Sequence, residues 1–241
     1  MDPRLSILKL DVATTFRLDD AGRILCENDP DGSPGPRAFV AGCIAGNVVH
    51  LRADVGRGTA AEIAALVAAE PPWIDPQARP GCIDQIARLL DGPPARLEVG
   101  FNYVLPRQAL PTGRFVCGNT AQGDALLASL CRDAMPAHLL AAGFVSVGDF
   151  WPPWCVAMQD GVIAAIAFSA RLAPTSAAVG VYTFPGFRGR GLAAAVTARW
   201  TTLPGLGTPR LFYGTSKANL SSQRVAARLG LERVGLGLRI I

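Results

Sequence analysis

The 241-residue sequence predicts an α/β fold in which helices pack on a mixed β-sheet. Half of the residues are apolar and 17% are charged, which supports a real core and excludes a disordered polyelectrolyte. After residue 123, the predicted order is helix, helix, hairpin, strand, helix, strand, helix, strand, and this order favours a mixed sheet. No apolar run reaches the roughly 18 residues of a membrane span, so we expect a soluble cytoplasmic protein.

Turn-forming residues divide the first half into short elements. Thr59 precedes a helical run and is expected to cap it, because Glu62 follows at the capping-box spacing. A proline- and glycine-rich loop covers residues 29–36. The other elements predicted in this half are a strand at 23–26, a hairpin within 38–53, a helix at 83–90 and a strand at 96–105.

The second half contains stronger local signals. Asp160-Gly161 lies between two β-type runs, which is a strong signal for a two-residue hairpin turn. Gly230 follows a periodic apolar run and marks the end of the last helix. The elements predicted here are a strand at 114–117, helices at 123–135 and 136–143, hairpin strands at 154–158 and 162–170, a strand at 177–183, a helix at 192–203, a loop at 204–208, a strand at 210–214, a helix at 219–229 and a strand at 231–241.

The net charge of +4 conceals an uneven distribution. Residues 1–183 contain 14 Lys and Arg against 18 Asp and Glu, a balance of −4. Residues 184–241 contain nine Lys and Arg against one acid, a balance of +8. A basic segment within an acidic chain indicates an anionic partner, and nucleic acid, a membrane surface and a phosphorylated cofactor all fit this description.

The cysteines and histidines predict no metal site. Six cysteines are scattered without a CxxC pair, and two histidines are isolated from any carboxylate at a ligand spacing. The cysteines are widely spaced in a chain that is long enough to form a hydrophobic core, so a disulfide framework is not expected. We expect the cysteines to be small core residues.

A glycine-rich loop between a strand and a helix carries the clearest functional signal. Its sequence is Gly186-Phe-Arg-Gly-Arg-Gly-Leu-Ala-Ala194, which places Arg188 and Arg190 beside the first N–H groups of the helix. Exposed N–H groups and the helix dipole together form an anion site. The loop is therefore suited to a phosphate or pyrophosphate.

Three interpretations of this loop remain open. A plain structural turn would need only one glycine. A dinucleotide-binding loop would fit Gly189-x-Gly191-x-x-Ala194, but that fold requires an acidic residue about 20 positions later, and the next strand has none. A Walker loop is excluded because no Gly-Lys-Ser/Thr follows. The third interpretation is a family resemblance.

Arg188-Gly189-Arg190-Gly191-Leu192-Ala193 matches the pattern Arg/Gln-x-x-Gly-x-Gly/Ala, the acyl-CoA signature of the GNAT superfamily of N-acetyltransferases. The later segment from Asn219 to Leu231 resembles the second cofactor segment of that family, which reads Asn-x-x-Ser/Ala and then a helix ending in Leu-Gly-Phe. Local roles for Asn219 and Gly230 as helix caps are compatible with this resemblance. The resemblance covers residues 114–241.

The resemblance implies the GNAT fold, a mixed and mostly antiparallel sheet with flanking helices. Two parallel strands, here 177–183 and 210–215, would splay apart to hold acyl-CoA. Residues 111–241 would then form the catalytic domain. Residues 1–110 would form an extra N-terminal α/β domain, interpreted as a degenerate copy of the same fold that covers the acceptor site.

The resemblance further implies that acetyl-CoA is the co-substrate, with no metal. Its pyrophosphate would lie on the amides of residues 188–193, and its pantetheine arm would pair with residues 181–183 as an added strand. A backbone N–H near Tyr182 or Thr183 would polarise the thioester carbonyl. Lys217 or Arg224 would assist with charge. The implied cofactor-binding residues are Val181, Tyr182, Thr183, Arg188, Gly189, Arg190, Gly191, Leu192, Ala193, Asn219 and Ser222.

The catalytic acid of the family is not matched. Many members have a tyrosine where this chain has Ala226. Ser222 lies one turn earlier on the same helical face, and Tyr182 and Tyr213 are the other candidate catalytic residues, although cofactor binding or packing also explains each. No general base is identified, and the acids weighed for that role are Glu27, Glu98 and Asp149.

The predicted function is transfer of an acetyl group from acetyl-CoA to a primary amine of a small molecule, by direct attack in a ternary complex. The alternatives are a non-catalytic acyl-CoA-binding sensor and a protein N-terminal or lysine acetyltransferase. Nucleic acid is not expected as a partner because the arginines are not interleaved with aromatic residues. We expect a monomer or homodimer without membrane contact. Residues 149–154 are interpreted as an aromatic wall for the acceptor or as a packing loop.

Overall fold

The chain forms two compact units, each assembled from separate stretches of sequence. The computed structural model describes residues 2–90, 96–207 and 209–241. The first unit contains Met1–Val104, Gly214–Gln223 and Glu232–Ile241, and the second contains Leu105–Tyr213 and Arg224–Leu231. The domain boundaries expected from the sequence, 1–110 and 111–241, stay a prediction. Within the described ranges, no helix combines the length and apolar character needed to cross a membrane.

The first unit is built on an antiparallel sheet. Its elements are α1 (Pro3–Thr15), β1 (Phe16–Leu18), β2 (Ile24–Glu27), β3 (Ala38–Cys43), β4 (Gly46–Leu51), α2 (Arg57–Ala69), α3 (Ile83–Leu89), β5 (Leu97–Val104) and, from the end of the chain, β11 (Glu232–Ile240). The strand order is β4, β3, β11, β5, and β1 pairs separately with β2. The strand that is last in sequence therefore lies inside this sheet.

Strand β3 shows why helices cover both faces of that sheet. All six of its residues are buried, as expected for a strand with both faces packed. Val40 and its same-face neighbour Ala38 pack with residues of α2 and α3, whereas Phe39 and Ala41 pack with Leu8 of α1. The alternation of side chains along one strand thus joins two hydrophobic clusters.

The second unit is a layered α/β structure. Its elements are β6 (Phe115–Cys117), α4 (Ala121–Asp133), α5 (Ala137–Leu140), β7 (Cys155–Gln159), β8 (Val162–Ala173), β9 (Ser176–Thr183), α6 (Leu192–Trp200), the start of β10 (Arg210–Ser216) and most of α7 (Leu220–Arg228). The strand order is β10, β9, β8, β7, β6. Helices α4 and α5 pack on one face through a shared hydrophobic cluster, and α6 contacts β7, β8 and β9.

The parallel pairing of β9 with β10 is short. It covers three residue pairs and ends where Ala178 faces Phe212, although β9 continues to Thr183. At the same level, the pairing of β8 with β9 contains a bulge, with Ala170 as the extra residue. The bulged strand is β8, and a bulge increases the local twist of the strand pair, so the twist of β8 and β9 changes at the level where β9 and β10 part.

The predicted fold class is confirmed, since the sheets are mostly antiparallel, one strand pair is parallel, and helices flank them. The Asp160-Gly161 hairpin is also confirmed, with positive φ at both turn residues. The expected cap at Thr59 is wrong. Helix α2 begins at Arg57, and its first backbone bond runs from Ala60 N to Gly56 O, so Thr59 already lies inside the first turn. Thr208, in a predicted loop, lies outside the described residues.

Helix α1 was not predicted, and it carries a buried carboxyl group. Asp11 shares the buried face of the helix with Leu8 and Val12, and its exposed fraction is 6%. Burial disfavours the charged carboxylate and raises the pKa of Asp11 to about 7. At neutral pH this group therefore lowers stability whenever it is ionised.

We expect Asp11→Asn to stabilise the protein at pH 8.5. The folded-state pKa lies above the unfolded one, so the wild-type free energy of unfolding should fall as the pH rises from about 4 to 7. The difference between variant and wild type should grow with pH toward an upper limit of about 4 kcal/mol. Urea unfolding at pH 5 and pH 8.5 measures it. Asp20→Asn, at an exposed carboxyl, is the matched control, and a pH-independent Asp11→Asn effect would contradict the assignment.

Candidate functional site

The glycine-rich loop adopts a backbone that requires two of its glycines. After a short helical turn at Pro185–Phe187, Gly189 has φ +80° and Gly191 has φ +78°. Residues with a Cβ rarely adopt this left-handed region, so glycine is needed at both positions. Gly191 is also the residue from which α6 begins.

The N-terminus of α6 is uncapped by any side chain. Its first backbone bond runs from Ala195 N to Gly191 O at 3.2 Å, so the N–H groups of Leu192, Ala193 and Ala194 precede it. The first turn contains no acidic residue. Free N–H groups and the positive end of the helix dipole are suited to an anion, so the anion site stays a prediction at this position.

Arg188 folds back onto the end of β9. Its Nε donates to the carbonyl of Thr183 at 3.2 Å, and its Nη2 donates to the Tyr182 hydroxyl at 3.4 Å. The guanidinium carbon lies 5.8 Å from the centroid of the Tyr182 ring, within range of a cation–π interaction. Arg188 thus ties the loop to the strand that precedes it.

Arg190 is held by the neighbouring hairpin. Its Nη1 donates to Oε1 of Gln159 at 2.9 Å, and its guanidinium lies 5.7 Å from the ring centroid of Phe187. A guanidinium has five N–H donors, so these bonds position Arg190 and Arg188 while leaving further donors that an anion can use.

A third arginine lies at the same place, and sequence reasoning missed it. A Cβ at position 191 would lie 2.8 Å from Nη1 of Arg228, so this guanidinium packs against the backbone of Gly191 at the start of α6. Arg228 is exposed in the last turn of α7. No motif marks it; only the excess of basic residues after position 183 pointed to this segment.

Beyond Ala178, one edge of β9 presents backbone groups away from β8. Phe184 N donates to Ala164 O at 3.1 Å, which makes their neighbours, Thr183 and Ala165, a pair without mutual hydrogen bonds. The N–H groups of Thr183 and Val181 therefore point toward the other edge, where the β10 ladder has ended. By the same alternation, the N–H of Tyr182 points toward β8. This edge is suited to pairing with an extended ligand.

The remaining predicted site residues are distributed over both units. Tyr182 packs against Phe184 in the second unit, and Tyr213, in β10, has an exposed fraction of only 1%, which favours packing. Asn219 and Ser222 belong to the first unit. Asn219 Oδ1 accepts a hydrogen bond from Ser222 N at 3.0 Å, the helix-capping geometry that the sequence predicts. Ala226, in the second unit, is buried.

Several other candidates have structural partners. Lys217 Nζ donates to Pro76 O at 2.8 Å and to Gln77 Oε1 at 3.1 Å, so it is engaged within the first unit. The three acids weighed as general bases are similarly engaged: Glu27 with Arg239, Glu98 with Arg96, and Asp149 with the N–H of Ser146. Among the residues that the structure describes, no cluster of three or more His, Cys, Asp and Glu is arranged to hold a metal.

The aromatic segment at residues 149–154 is mostly part of the core. Phe150 and Trp154 are buried, and their rings meet edge to face at 5.4 Å. Trp151 is half-buried and packs against Phe168. These contacts favour the packing interpretation over an aromatic wall.

Comparison with known proteins gives no family-model match and no match among curated proteins. Similar solved structures include a GCN5-related N-acetyltransferase-like protein from Streptococcus suis, 16% identical, with 97% of this chain and 98% of that chain covered and a TM-score of 0.47. A GNAT-family acetyltransferase from Colwellia psychrerythraea is 14% identical, with 93% and 80% covered and a TM-score of 0.44. A GNAT-family structure from Novosphingobium aromaticivorans is 21% identical, with 61% and 65% covered and a TM-score of 0.43, so this chain spans less than two thirds of that protein.

We expect alanine at either left-handed glycine to destabilise the protein. Gly189→Ala and Gly191→Ala should each lower the free energy of unfolding by about 1–2 kcal/mol, because a Cβ is strained at this φ. Gly186→Ala is the control, since Gly186 is exposed and a Cβ there meets nothing within 4 Å. Urea unfolding of the three variants measures the difference, and equal stabilities would show that the loop relaxes to another backbone.

Proposed function

We propose that the protein is an acyl-CoA-dependent N-acyltransferase of the GNAT superfamily. Two features of the second unit carry the proposal together. The start of α6 is suited to an anion, and the edge of β9 at Val181 and Thr183 has no paired strand beside it. Coenzyme A combines a pyrophosphate with an extended chain that contains amides. The start of α6 suits the pyrophosphate, and the edge of β9 suits the amides.

Acetyl-CoA is the proposed co-substrate. Its pyrophosphate binds the N–H groups of residues 192–194, with charge from Arg188, Arg190 and Arg228. Its pantetheine amides pair with Val181 and Thr183 as an added strand. Contacts from Asn219 and Ser222 remain a prediction from the resemblance, since both residues belong to the first unit.

The proposed reaction is direct acyl transfer. The neutral amine attacks the thioester carbonyl, the new C–N bond forms, the C–S bond breaks, and a proton passes from the amine nitrogen toward the departing thiolate. Thr183 is favoured over Tyr182 as the backbone donor that stabilises the developing oxyanion, because its N–H faces the edge of β9 that an added ligand would use.

Ser222 as proton donor to the thiolate stays a prediction from its place in the second motif, one helical turn before position 226. The hydroxyl of Tyr182 is engaged with Arg188 at the loop, which suits cofactor binding, and Tyr213 is buried in its strand. The general base stays unassigned, because Glu27, Glu98 and Asp149 each serve a structural contact. A water chain fulfils the same requirement.

The proposed acceptor is a primary amine of a small molecule, and the net charge of −4 over residues 1–183 suits a cationic amine. Two alternatives make different predictions. A protein acetyltransferase would modify peptide N-termini or lysines in preference to free amines, and a non-catalytic sensor would bind acetyl-CoA without transfer, as the alanine at position 226 would permit.

We expect Arg188 of the loop and Arg228 of α7 to control CoA affinity. Arg188→Ala and Arg228→Ala should each raise the dissociation constant for CoA about tenfold, because each removes a charge-assisted contact with the pyrophosphate. Isothermal titration calorimetry measures the effect. Arg57→Ala, which removes an exposed cation at the start of α2, is the control and should bind as wild type does. If Arg188→Ala and Arg228→Ala both keep wild-type affinity, or if wild type does not bind CoA, the site assignment is wrong.

We expect the N–H of Thr183 to contribute to catalysis. Thr183→Pro removes this donor and should lower kcat about 100-fold, with the fold checked by circular dichroism. Thr183→Val keeps the N–H and should retain the rate, because the threonine hydroxyl oxygen is buried without a hydrogen-bond partner among the described residues. Thiol release from acetyl-CoA with polyamines, aminosugars and peptides as acceptors provides the assay. Binding without transfer to any amine would favour the sensor, and a rate equally reduced in both variants would exclude the N–H.

A further inference from the structure

Two of the six cysteines face each other across neighbouring strands. Cys117 in β6 is the register partner of Cys155 in β7. Both are free thiols and buried, with exposed fractions of 5% and 0%. The proposed acyl transfer makes no use of either residue.

The backbone geometry at this pair is compatible with a disulfide. Gly118 N donates to Trp154 O at 2.9 Å, and Met158 N donates to Arg114 O at 2.9 Å. In an antiparallel ladder, hydrogen-bonded and non-hydrogen-bonded pairs alternate, so the Cys117–Cys155 pair is of the non-hydrogen-bonded kind. Such pairs bring the Cα atoms to about 4.5 Å, which is within the range that a disulfide bridges.

Helix α6 provides polar partners for both sulfur atoms. Cys155 Sγ lies 3.4 Å from the carbonyl oxygen of Val196, which accepts the thiol proton when Cys117 does not. Arg199, one turn further along the helix, favours the charged form of Cys117 and so lowers its pKa. The two thiols of the sheet therefore lie beside a cation of α6.

These partners favour the thiolate at Cys117. The hydrogen bond with the Cys155 thiol, and then the charge and hydrogen bond of Arg199, lower the pKa of Cys117 to about 6 despite opposing burial. Burial and the neighbouring thiolate raise the pKa of Cys155. Cys117 is thus the member of the pair whose thiolate is favoured, and Cys155 is the member that keeps its proton.

We propose that Cys117 and Cys155 form a redox site, in which a hydroperoxide converts the two thiols into a cross-strand disulfide. The Cys117 thiolate attacks the peroxide oxygen, the O–O bond breaks, and a sulfenic acid and hydroxide result. The Cys155 sulfur then attacks the sulfenic sulfur, its proton leaves with the sulfenic oxygen as water, and the S–S bond forms. The two cysteines lose two electrons, and the peroxide gains them.

Cys117 is only 5% exposed, so a small oxidant is the kind suited to reach it. Strand β6 is the edge strand of the second unit's sheet, and hydrogen peroxide is small and uncharged. Cys82 has a different environment. Cys82 is buried, and burial with the adjacent Glu70 carboxylate raises its pKa to about 11. Cys131 is exposed on α4 and provides an internal reference thiol.

Hydrogen peroxide treatment of the full chain at pH 7, followed by denaturation, alkylation and peptide mass spectrometry, tests the proposal. We expect a Cys117–Cys155 disulfide that dithiothreitol reverses, formed several times faster than Cys131 is oxidised. Cys155→Ser should instead leave Cys117 trapped as a sulfenic acid that dimedone labels. If Cys131 is oxidised while Cys117 and Cys155 remain alkylatable after denaturation, the pair is an inert core contact and the proposal is wrong.

The Arg199 variants separate a reactive site from a merely close pair. Arg199→Gln removes the charge and should slow disulfide formation several-fold at pH 7, with the difference shrinking above pH 9, where the thiol ionises without help. Arg199→Lys keeps the charge and should restore most of the rate. An oxidation rate that is the same in wild type and in Arg199→Gln at pH 7 would overturn the role of the guanidinium. The oxidation rate is measured without CoA, so this experiment tests the redox site separately from the proposed acyl transfer.

Discussion

The early end of the ladder between β9 and β10 is the constraint on which the proposed site depends. The two strands pair over only three residues, and the bulge at Ala170 lies at the level where the pairing stops. A sheet interior would consume every backbone N–H of β9. Because the partner strand departs after Ala178, the groups at Val181 and Thr183 become available to a ligand, and the strand can lead directly into the loop and α6.

The basic residues around this loop differ in how the protein uses them. Arg188 and Arg190 are fixed by acceptors of the protein itself, a backbone carbonyl and the side-chain amide of Gln159. Such bonds reduce the freedom that a guanidinium must lose when an anion arrives, so the charges are pre-organised. Arg228 reaches the same backbone from a distant part of the chain, which couples the end of α7 to the conformation of Gly191.

Local features of this protein could be predicted from the sequence, and features that depend on distant pairing could not. The Asp160-Gly161 turn and the two-glycine loop are local, because the residues that form them are adjacent. Helix α1 was missed since Asp11 interrupts its apolar face and β-branched residues follow. The contact of Arg228 with Gly191 and the pairing of Cys117 with Cys155 arise from tertiary structure, for which spacing along the chain gives no signal.

The place of β11 between β3 and β5 has a consequence for biosynthesis. A ribosome releases residues 2–104 long before it reaches residue 232, yet the sheet that those residues build lacks an interior strand until then. The edges of β3 and β5 remain open in the nascent chain, where each is a template for wrong pairing. The first unit therefore cannot complete its sheet until residues 232–240 have been made, and a chain cut short before residue 232 would leave β3 and β5 without the strand that joins them.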